Sequence, residues 1–201
     1  MILHQMGKYE ESVQEFLKAS DLMKKQDIIS VSQQAASLVT TEWITEYKGE
    51  YSERLWVHTY LMMNFLLLGK YESALVEAKQ SDAIIAQYPV ALSNDYFTRA
   101  LIALCYEMLG EINDAYIVYK KLAESMPDPS VIMPKLHRYA VRLGFQDDVL
   151  KYKAMISKPE EEGSAEVVLF LGESRAPKKF RAISSCRRAS VSHSLNISIS
   201  L

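Results

Sequence analysis

Four stretches of the chain share one pattern of apolar and polar positions: "MGKYEESVQEFLKAS" from Met6, "LGKYESALVEAKQSD" from Leu68, "LGEINDAYIVYKKLAESMP" from Leu109 and "LGFQDDVLKYKAMI" from Leu143. In each, a glycine is followed five positions later by a small or apolar residue, then by apolar residues at helical spacing. The glycines are Gly7, Gly69, Gly110 and Gly144, and the residues that follow are Ser12, Ala74, Ala115 and Val149. A glycine at the end of a helix takes the left-handed cap without a Cβ penalty. A small residue on the inner face of the next helix lets two antiparallel helices approach closely. The pattern predicts a row of helical hairpins.

The third unit, "RALIALCYEMLGEINDAYIVYKKLAESMP" (Arg99–Pro127), is the sharpest. Its small residues Ala103 and Ala115, aromatics Tyr106 and Tyr119, and closing Pro127 resemble the tetratricopeptide repeat. Leu122 departs from that repeat, which prefers Ala there. Gly69, Ala74 and Gly110 complete the expected packing set. The other units are degenerate: the second has Met62 and Phe65 early and a late Pro89, and the fourth has His137 where a small residue is expected. The first is expected to lack its leading helix altogether, since Met1 lies six residues before Gly7, which reads as a truncated or mis-assigned start. Successive glycines lie 62, 41 and 34 residues apart, and only the last interval matches the 34-residue repeat.

The long first interval reads as an inserted helix over 24–43, with Ile28, Val31, Ala35, Leu38 and Val39 on one stripe, then a loop around Gly49. The next helix is expected to start near Ser52, as its cap. After the fourth hairpin, Pro, Gly and three consecutive acids mark a linker over 158–164. "EVVLFL" (166–171) is rich in strand formers, and "LNISISL" (195–201) alternates strictly. The sequence thus predicts an all-α, tetratricopeptide-like superhelical array over 1–157, with a C-terminal β-strand or hairpin appendage in a basic, Ser-rich tail over 165–201.

Composition supports this. Seven glycines and six prolines in 201 residues are too few for a sandwich or barrel. No apolar run approaches the roughly 20 residues of a membrane span, and "YLMMNFLLLG" (Tyr60–Gly69) is the greasiest stretch. The net charge is −2. Five of the basic residues, and no acid, lie from Lys178 onward. They are spread out and read as a solvated tail rather than a nucleic-acid site. Short matches there, "RRAS" at Arg187 and "NIS" at Asn196, are patterns that chance supplies often.

Signals of catalysis are poor. Cys105 lies on an apolar helical face and Cys186 in the tail, with no CxxC spacing. His4, His58, His137 and His193 form no helical zinc pair. No nucleophile elbow, P-loop or dinucleotide fingerprint is present. A hydrolase site at His58 or His137 is the weakest reading. No cofactor or metal is expected. Repeat arrays use their concave face for protein partners, and tyrosine suits such a groove. Tyr47, Tyr51, His58, Asn64 and Arg99 are the candidate partner-binding residues. Co-chaperone members of the repeat family hold a terminal carboxylate with Lys and Asn from leading helices. Asn64 and Arg99 lie on such helices, but the full set is not assembled here.

Three segments together resemble the tetratricopeptide-containing lipoproteins of the Gram-negative cell envelope. "ISVSQQAASLVT" (29–40) is similar to their inserted helix. "YKGEYSERLWVHTYLMMNFLLLGKYESALVEA" (47–78) is similar to their central block, through Tyr47, Gly49, Glu50, His58, Thr59, Tyr60 and Leu61. "AEVVLFLGESRAPKK" (165–179) is similar to their closing strand and Ala-Pro turn. The resemblance implies a non-enzymatic envelope scaffold that binds a protein partner on the periplasmic side, without nucleic acid. Membrane association would come only through a lipid anchor. That family begins with a signal peptide and a lipid-bearing Cys, neither of which is in this chain. The alternative is a cytosolic adaptor or a regulatory subunit of an enzyme complex.

Overall fold

A computed structural model describes residues 1–36 and 50–156. Within them the chain forms eight helices: α1 (Ile2–Gln5), α2 (Tyr9–Ala36), α3 (Tyr51–Leu67), α4 (Tyr71–Gln87), α5 (Tyr96–Met108), α6 (Ile112–Ser125), α7 (Met133–Leu143) and α8 (Gln146–Lys153). They pack as sequential antiparallel pairs, α1 with α2, α3 with α4, α5 with α6 and α7 with α8. There is no strand among the described residues. The expected linker over 158–164 and β appendage over 165–201 lie outside them.

Each pair turns at one of the four glycines, whose φ values run from 68° to 77°. At Gly110 the reason is local. The Gly110 N–H donates to the Glu107 carbonyl at 2.9 Å and the Glu111 N–H to the Tyr106 carbonyl at 3.0 Å. This nested pair of bonds closes the end of α5 and requires a left-handed residue at Gly110. A Cβ on Gly110 would meet nothing within 4 Å, so the demand is purely torsional. Pro127 stands just after Met126, the extended residue that ends α6 (φ −80°, ψ 140°), a place where proline stops a helix without losing a bond.

The first hairpin has a leading helix, the single turn α1 (Ile2–Gln5), where the sequence predicts none. Two boundaries also differ from the sequence reading. Residues 24–36 of the expected insert continue α2 without a break. No Gly or Pro interrupts Tyr9–Ala36, so nothing in the chain ends the helix. The rest of that insert lies outside the described residues. Secondly, α3 is capped by Glu50, not Ser52. Glu50 and Glu53 form a reciprocal capping box, in which the Glu50 N–H donates to the Glu53 carboxylate at 3.0 Å. The box satisfies two otherwise orphaned N–H groups, and Ser52 falls inside the first turn.

Packing follows the small residues. Ala74, Ala103, Ala115 and Ala140 are fully buried, and Ser12 nearly so. Around Ala103 and Ala115 the core continues through Tyr119, Leu122, Leu136 and Tyr139, with Tyr106 partly buried at its edge. Besides its pairing with α4, α3 packs against α2 and α5. It is buried nearly all round, with Leu55, Leu61 and Met62 at 0% exposure. No helix among the described residues is long and apolar enough to cross a membrane. Because Ala115 is at 0% exposure inside this core, Ala115→Leu is expected to destabilise the chain by about 1–3 kcal/mol, read as a lower urea midpoint with an unchanged slope.

Candidate functional site

The interior carries more polar chemistry than its helical pattern suggests, and most of it joins one helix to another. On α3, His58 lies with its Nδ1 2.6 Å from Glu77 Oε2 on α4. An ionised carboxylate only accepts, so the imidazole N–H donates. Thr59 donates to the Leu55 carbonyl at 2.8 Å, and its hydroxyl lies 3.1 Å from that of Thr98 on α5. Asn64, at 0% exposure, donates from Nδ2 to Ser12 Oγ on α2 at 2.9 Å. Its Oδ1 therefore accepts from His4 Nδ1 on α1 at 2.6 Å. The His4 ring stands edge-on to Tyr60, 5.3 Å between centroids.

A second link ties three later helices. Lys135 on α7, 3% exposed, donates to both carboxylate oxygens of Glu107 on α5, at 3.1 and 3.3 Å. The Tyr119 hydroxyl on α6 donates to the same carboxylate at 3.0 Å. The Lys135 ammonium also sits 5.2 Å from the centre of the Tyr119 ring.

The third cluster borders open space. Between α6 and the start of α8 lies a groove of about 410 Å³, lined by Tyr116, Ile117, Lys120, Phe145 and Asp148 among others. Asp148 accepts from the buried Tyr116 hydroxyl and from Lys120 Nζ at 3.0 Å. The Tyr116 bond, then that of Lys120, holds the Asp148 carboxyl below its ordinary range. Burial, then the bond to Asp148, pushes the Tyr116 phenol well above its own. The Phe145 ring lies 5.4 Å from that of Tyr116.

The five candidate partner-binding residues do not converge on one surface. Tyr47 lies outside the described residues. Tyr51 opens α3, is 36% exposed and stacks on Tyr88 at 5.0 Å. His58 and Asn64 are buried in the links just described. Arg99 is half-buried; its Nη2 donates to the Leu92 carbonyl at 3.4 Å, and its buried Nε has no hydrogen-bond partner among the described residues. His137 lies half-buried on α7. The groove was missed by sequence reasoning. The only signal for it was an apolar residue, Ile117, on the polar side of the α6 stripe, next to Lys120 and Lys121.

Cys105 is fully buried, and burial pushes its thiol up to about 12, far from the thiolate that a nucleophile needs. Among the described residues no three His, Cys, Asp or Glu side chains stand together as a metal site. The class that fold and site define is an all-helical protein of stacked antiparallel helices. Comparison with protein-family models, with curated proteins and with solved structures finds no match for the chain.

Two outcomes follow from these links. Asn64→Ala strands the Ser12 hydroxyl and the His4 N–H, and is expected to cost about 1–3 kcal/mol in a denaturation titration. The Asp148 carboxyl, being depressed in the fold, contributes stability above its unfolded value of about 3.9; that stability is lost as pH falls through the lower folded value. Asp148→Asn should therefore lower the thermal midpoint at pH 7. The gap from the native chain should close as pH drops below about 4.

Proposed function

We propose that this chain is a non-enzymatic scaffold of tetratricopeptide-like helical pairs that binds a protein partner in the Gram-negative cell envelope. The observation that carries the reading is the stacking itself. Consecutive antiparallel pairs turn at left-handed glycines, close on small residues, and add an α3–α5 contact between the leading helices of neighbouring pairs. Stacks of this kind hold their shape through neighbour contacts and offer long surfaces to partners. The buried polar groups favour the same reading. His58, Asn64, Glu77, Glu107 and Lys135 hold helices together, and the Cys105 thiol is sealed and protonated.

The envelope assignment rests on the resemblance of 29–40, 47–78 and 165–179 to the envelope lipoprotein family. Residues 37–40, 47–49 and 165–179 of that resemblance lie outside the described residues.

The test is crosslinking in living cells. The natural gene is expressed in a Gram-negative host with a photo-reactive residue at Tyr51, at Arg99 or at Ile117. Cells are then separated into cytosolic and envelope fractions. The expected result is an envelope-bound protein with one dominant adduct, whose purified partner binds the purified chain with one-to-one stoichiometry. Recovery in the cytosol would overturn the location, and absence of any protein adduct would overturn the scaffold.

A further inference from the structure

We draw no further inference here: the strongest candidate, the open groove between α6 and the start of α8 lined by the exposed Ile117 and Phe145, has a charge-balanced rim in which Asp148 holds Lys120 and Lys121 stands beside Glu124, and nothing in the structure shows what covers it.

Discussion

A helix buried on every side must satisfy its polar side chains through its neighbours or carry none, because an unpaired buried donor costs about 1–3 kcal/mol. α3 is close to that position over its middle turns, with only residues at its ends such as Tyr51 and Leu67 exposed, and its polar links leave in different directions. His58 reaches α4, Thr59 approaches α5, and Asn64 joins α2 and, through His4, α1. Apolar contact alone would let these helices slide or rotate at modest cost, since hydrophobic burial is non-directional. The hydrogen bonds of His58 and Asn64 have fixed distances and angles, so α4, α2 and α1 each have one register in which the donor or acceptor is met. The position of every pair up to α5 depends on that helix.

The later pairs use the same device with a stronger interaction. Lys135, Glu107 and Tyr119 join α7, α5 and α6 through one carboxylate. Burying a charge pair does not by itself add much stability, because the desolvation cost offsets the attraction. What the trio contributes is selection among packings. A shift of α7 that removed Lys135 from Glu107 would strand a cation at 3% exposure, which is strongly penalised. At the next junction Asp148 performs the joining role for α6 and α8, nearer the surface.

Much of the fold is legible in the sequence because the physics that sets it is local. A left-handed cap needs glycine whatever surrounds it, so Gly69 and Gly110 mark turns on inspection, and Ala74, Ala103 and Ala115 follow from the closeness that the turn imposes. The start of α3 was misplaced because a serine is the stronger capping residue in isolation, while the Glu50–Glu53 box depends on reciprocal geometry. The extent of α2 differs because the 62-residue interval from Gly7 to Gly69 is longer than a repeat and so suggests an inserted element, whereas a helix ends only where something stops it. Among the candidate residues, Asn64 and His58 look like surface chemistry in sequence, since polar residues are usually exposed. Nothing local announces that α3 is covered by α2, α4 and α5. The groove is invisible for a related reason: it is made by two helices 21 residues apart, counted from Ser125 to Gln146, and no single stretch contains it.

Most helices here touch chiefly those next to them in the chain, with α3 to α5 a longer step. A stack joined in this way behaves mechanically as elements in series. A load applied at one end is shared by every junction, so each yields only a little, and the total displacement grows with the number of pairs. Stiffness is set at the junctions, by groups such as Asn64, Glu107 and Asp148, rather than by the helices between them. In a stack of this kind the softest junction decides where strain is taken up, and no single helix need bend.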